Sequence, residues 1–166
     1  MGEPFEDRGW KEVVTMNKKE MFLNEINALP DKVAKAIEGA SKKGDIYALA
    51  IFYSDYVNIW GFYKTEKSAS KALTRLNGIT YYSDYDYDAE LISVGDGMEL
   101  VKININELLP LNSKELWTNW ANQYGHRIES EILLDDYFKY FKAEYSLNDE
   151  LVSETKSIVK KINGWG

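Results

Sequence analysis

Apolar positions recur along the chain with periods of about 3.6 and about 2 residues, and the changes of period divide it into elements. Phe22, Ile26, Leu29, Val33, Ile37 and Ala40 follow one another at steps of 4, 3, 4, 4 and 3 residues. That spacing puts them on one stripe of a helix. Pro30 falls inside the stripe, where it removes a backbone donor and crowds the preceding turn, yet the phase is kept across it. A kink, or two helices nearly in line, is expected there. Gly44 follows Lys42 and Lys43 and reads as the stop, since lysines suit a helix C-terminus and glycine the turn beyond it.

The run IYALAIFY from Ile46 to Tyr53 is apolar on both alternating faces and rich in β-branched and aromatic residues, as a central strand covered on both sides would be. Ser54 and Asp55 separate it from YVNIWGFY, Tyr56 to Tyr63, so a hairpin is predicted. Thr65 can cap a short helix carrying Ala69, Ala72, Leu73 and Leu76, ended by Asn77-Gly78. Ile79 to Ile105 reads as strands joined by turns, Gly95-Asp96-Gly97 marking a tight one. Val101, Ile103 and Ile105 alternate with polar residues in a half-buried strand that gives way near Asn106 to a helical turn. Ser113 opens a helix with Leu116, Trp117, Trp120 and Tyr124. A second stripe holds Leu133, Leu134, Tyr137, Phe138 and Phe141, and a last helix runs from near Asn148 to Gly164.

Strands flanked in sequence by helices predict an α+β fold rather than a helical bundle. The expected architecture is a single domain over 1–166, mostly antiparallel sheet with an N-terminal helix and C-terminal helices packed on it, residues 1–15 being a candidate for a poorly ordered arm. At 166 residues and 45% hydrophobic, the chain can bury the core that one such domain needs. No stretch is long and apolar enough for a membrane span. MGEPFEDRGW lacks the basic and apolar segments of a secretory signal, and position six is Glu6 where myristoylation wants Ser or Thr. There are no cysteines, which excludes disulfides and thiolate chemistry and fits a cytoplasmic location.

Charge is unevenly distributed. The formal −7 is made of +1 over residues 1–77 and −8 over residues 78–166. An acidic second half repels polyanions, so direct nucleic-acid binding is not expected, whereas a basic protein would be attracted. The sharpest local feature is Tyr81-Tyr82-Ser83-Asp84-Tyr85-Asp86-Tyr87-Asp88-Ala89-Glu90, an alternation of acid and aromatic. In extended geometry Asp84, Asp86, Asp88 and Glu90 share one face, and Tyr85 and Tyr87 the other. From Gly78 to Glu99 there are six acids and no Lys or Arg. Such a row is unfavourable unless it is solvated, cation-bound or met by a basic partner. Solvated acids on an edge also serve to block sheet-to-sheet association.

Candidate chemistry narrows quickly. Asp84, Asp86 and Asp88 match positions one, three and five of an EF-hand loop, but position six is Ala89 instead of Gly and position twelve Gly95 instead of Glu. No metal site or other cofactor is therefore expected. His126 is the only histidine, reads as a surface residue after Gly125, and has no nucleophile elbow to serve; phosphate-cradling glycine motifs are absent too. No catalytic residue is assigned. Five tryptophans and twelve tyrosines suit an interaction protein, with Trp117, Trp120 and Tyr137 read as core from their helical spacing and Tyr82, Tyr85 and Tyr87 as surface.

The order of an amphipathic helix, YALAIFYSDYVNIWGFYKTEKSASKAL, an acidic aromatic stretch, ININELL, two helices and a closing INGWG resembles an uncharacterised bacterial domain family of about this length. Some of its members occur among immunity proteins of polymorphic toxin systems. The resemblance implies a bacterial immunity protein that neutralises a cognate toxin domain by direct binding, and it transfers no catalytic residue; the acidic surface points to a basic toxin such as a nuclease. Read from the residues themselves, the binding face is Tyr82, Asp84, Tyr85, Asp86, Tyr87, Asp88 and Glu90. The alternatives are a carboxylate-dependent enzyme of unknown reaction and a regulatory adaptor domain.

Overall fold

The computed structural model of the chain describes residues 18–83 and 90–166; the arm expected at 1–15 and the run 84–89 lie outside the described residues. The fold is α+β with antiparallel sheet. In order, the elements are α1 (helical over 18–27), α2 (Pro30–Gly39), β1 (Asp45–Phe52), β2 (Val57–Tyr63), α3 (Glu66–Asn77), β3 (Thr80–Ser83), β4 (Glu90–Ser93), β5 (Met98–Asn104), α4 (Lys114–Tyr124), α5 (Glu131–Tyr145) and α6 (Asp149–Asn163), with single 3₁₀ turns after β5 and α4. Contacts divide the described chain into two compact units, one of residues 18–25 and Lys35–Glu107, the other of Ile26–Ala34 and Leu108–Gly166.

The first unit is organised by β1, which pairs antiparallel with β2 on one side and with β5 on the other. Because successive side chains of a strand alternate, its central position needs apolar residues on both faces. Tyr47, Leu49 and Ile51 turn to one face, where Ala69, Ala72, Leu73 and Leu76 of α3 pack on them together with Met98 and Leu100. Leu49 is fully buried, which contributes about 1.5–3 kcal/mol. Ile46, Ala48 and Ala50, also fully buried, take the opposite face. There α2 comes so near that a Cβ on Gly39 would lie 2.8 Å from the Cβ of Phe62, the residue paired with Ala48. Lys18 of α1 reaches the same face, over the Phe52 ring and 3.1 Å from Glu99.

Two features depart from the pattern reading. α2 ends at Gly39, short of Ala40, although the apolar stripe runs on. Gly44 is not the helix stop; it holds φ +81° in the turn into β1, its N–H donating to the Ser41 carbonyl. At Pro30 the chain forms two helices, with proline at the first position of α2, where its missing N–H has no intrahelical acceptor to lose. The expected hairpin is present, with one irregularity: Leu49 pairs with Gly61 and Ala50 with Ile59, so Trp60 is an extra residue in a β-bulge on the edge strand and is exposed.

The second unit has its own core of aromatic rings in tilted and edge-to-face contact. Trp117 is fully buried, with ring centroids 5.1 Å from Phe141, 5.7 Å from Phe138 and 5.8 Å from Trp120, and its indole N–H donates to the Leu111 carbonyl at 2.8 Å. Ser113, Ser130 and Asn148 cap α4, α5 and α6 by accepting from the backbone N–H three residues on. α6 ends where Gly164 takes a left-handed conformation at φ +72°. Asn163 ties α6 to the turn after α4 by donating to the Gly125 carbonyl at 2.9 Å. No helix of the described residues is long and apolar enough to cross a membrane.

Candidate functional site

β3 and β4 form a separate two-stranded ribbon, with Thr80 opposite Ser93, Tyr81 opposite Ile92, Tyr82 opposite Leu91 and Ser83 opposite Glu90. Its base is joined to the end of α3. The Ile79 and Gly95 N–H groups both donate to the Leu76 carbonyl, and Val94 N–H donates to the Ile79 carbonyl at 2.8 Å. Glycine suits this joint, since a Cβ on Gly95 would come within 2.4 Å of the Asn77 amide oxygen and 3.1 Å of the Asn77 backbone nitrogen. The ribbon therefore continues directly from a helix whose other face is built into the core.

A two-stranded ribbon cannot bury both of its faces by itself. Tyr82 is 68% exposed and Leu91, its cross-strand neighbour, 59% exposed. Cβ atoms of such opposed residues lie about 5 Å apart, so the two side chains make one continuous apolar surface. Tyr81 and Ile79 are exposed as well. Glu90 is exposed at the first position of β4, and the segment connecting Ser83 to Glu90 is the acid and tyrosine run itself. Of the seven residues read as a binding face, Tyr82 and Glu90 are thus placed on this ribbon, while Asp84, Tyr85, Asp86, Tyr87 and Asp88 lie outside the described residues.

The electrostatic row is shorter than its sequence suggests. Glu99 closes the acidic window in the chain, yet it is ion-paired with Lys18, a residue 81 positions away. Only proximity in the fold supplies that cation. Among the described residues, no three His, Cys, Asp or Glu side chains converge so that they could hold a metal ion. His126 is exposed in the 3₁₀ turn after α4.

Period-based reading misplaced one aromatic. Tyr137, expected in the core with Trp117 and Trp120, is 49% exposed, whereas both tryptophans are buried. α5 carries two apolar stripes; Leu134, Phe138, Phe141 and Tyr145 are buried, which turns Leu133, Tyr137 and Tyr140 to the solvent. A helix apolar most of the way round gives no unique inward face, so spacing alone could not choose between them. That very breadth was the signal in the sequence.

No protein-family model, no curated protein and no solved structure matches the chain.

Proposed function

We propose that this chain is a cytoplasmic bacterial immunity protein that neutralises a cognate toxin domain by direct binding, using the β3–β4 ribbon and the acid and tyrosine run that connects its strands. The observation that carries the reading is the exposed Tyr82–Leu91 pair on a ribbon anchored to α3. Covering such a pair removes apolar surface from water at roughly 25 cal/mol per Å². Aromatic anchors of this kind set how long a complex lasts. Asp84, Asp86, Asp88 and Glu90 supply the complementary property, a field that draws in a basic surface, a nucleic-acid-cleaving toxin being the natural case.

The test is kinetic. With the bound protein isolated from the native host and identified, replacing Asp84, Asp86 and Asp88 by Asn and Glu90 by Gln removes four charges and keeps shape. Association should slow by about tenfold or more at low salt, with stability of the free chain kept or slightly raised as like-charge repulsion is relieved. Tyr82→Ala should chiefly accelerate dissociation. An association rate and affinity that both survive the four-charge variant would sink the assignment of this face.

A further inference from the structure

The outward face of α5 has the shape of a helix-binding furrow. Leu133 and Tyr137 stand four residues apart and form one ridge; Asp136, Tyr140 and Glu144, again at steps of four, form the next. Between the two ridges runs an open groove of about 380 Å³ lined by Leu133, Asp136, Tyr137 and Tyr140. Rows of this kind are the surface into which the ridges of a second helix fit. The rings that flank it are supported from below: Tyr137 stacks on buried Phe141 at 6.0 Å, and Tyr140 packs against the same ring at 5.8 Å. Little side-chain freedom is left to lose on docking.

Charge identifies the occupant. On the neighbouring side of α5, Asp135 is bound by Lys156 at 2.8 Å, and that lysine holds its carboxyl below the ordinary range, with Lys139 adding to the effect. Lys142 is taken by Asp149. Asp136 and Glu144, on the ridge that borders the groove, have no ion pair among the described residues. They bracket Tyr140, with about 12 Å between them along the helix axis at 1.5 Å per residue. We infer that α5 docks an amphipathic helix of a basic partner protein, its apolar ridge lying between Tyr137 and Tyr140 and two Lys or Arg side chains meeting Asp136 and Glu144. Neither the ribbon nor the toxin-binding reading enters this inference, so either can fail alone.

A designed peptide tests it on the full chain. The probe is a labelled helical peptide of about 15 residues, with leucines on one face and two lysines spaced as Asp136 and Glu144 are; its counterpart carries glutamates in place of the lysines. At about 0.01 M salt the lysine peptide should bind and the glutamate peptide should not, a contrast that low salt leaves unscreened. Asp136→Asn with Glu144→Gln should weaken binding about tenfold with circular dichroism and melting unchanged, and Tyr137→Ala at least as much, with circular dichroism unchanged and melting lowered slightly by the lost stacking on Phe141. Asp55→Asn with Asp96→Asn, which removes as much charge elsewhere, should leave affinity within about twofold. Equal loss in both double variants would mean bulk attraction and overturn the proposal, as would binding that survives Tyr137→Ala. Self-association in sedimentation that Tyr137→Glu abolishes would assign the face to a second copy of the chain and overturn it too.

Discussion

Tyr145 shows how one side chain can be read from both its packing and its proton. Its ring lies 6.1 Å from those of Trp117 and Phe141, and its hydroxyl donates to the Asp31 carboxylate. Burial, and then the adjacent Asp31 carboxylate, push the phenol above its ordinary value of 10.0. A group whose value is raised by folding binds its proton more tightly in the native state. Its contribution is therefore complete below about pH 10 and fades as pH climbs toward the folded value. Tyr145→Phe keeps the ring contacts and removes the hydrogen bond, so it should lose about 1 kcal/mol at neutral pH. The gap from wild type should narrow above about pH 10, which urea unfolding at neutral and alkaline pH would measure. Asp31 is exposed, so the carboxylate can rehydrate in the variant and the loss should stay near that value.

Elements differ in how openly they announce their ends. α3, α4 and α6 begin after Thr65, Ser113 and Asn148, each a short polar side chain that accepts from the N–H of the residue three positions on. Those starts, the stop at Gly164 and the β1–β2 hairpin were legible from residue types alone. The end of α5 was not. Ser146 takes the left-handed position at φ 53° and ψ 46°, where glycine is usual, and its N–H caps the Lys142 carbonyl. An L-residue there is disfavoured by roughly 1–2 kcal/mol. Ser146→Gly should accordingly raise stability by about 0.5–1 kcal/mol, less the entropy that glycine adds to the unfolded chain. A lower melting temperature in the variant would show that the serine side chain compensates for the strained backbone.

At the scale of the whole molecule, the −7 net charge matters more for encounters than for folding. Attraction to basic surfaces should weaken steeply between about 0.01 and 0.15 M salt, as the Debye length falls from about 30 to about 8 Å. Calcium offers a sharper check on what the acids are for. The spacing that begins like an EF-hand at Asp84 fails at Ala89 and Gly95, so millimolar calcium should move the melting temperature no further than sodium chloride of equal ionic strength. A larger shift, saturable and lost in Asp86→Ala, would establish a cation site.

The sequence by itself determined the α+β class, the hairpin and most helix starts, because period and capping chemistry act within a few residues of one another. It also marked the acid and tyrosine run as distinctive. Only the tertiary structure decided what depends on distant neighbours. It paired β1 with β5, a strand roughly 50 positions on, and left β3 and β4 as a ribbon of their own. It gave Glu99 its lysine. It brought Gly39, the last residue of α2, close against Phe62. On α5 it chose between two apolar stripes: Trp117 and Trp120 meet Phe138 and Phe141 in tilted and edge-to-face contacts, and a helix that buries one stripe must turn Leu133, Tyr137 and Tyr140 toward water.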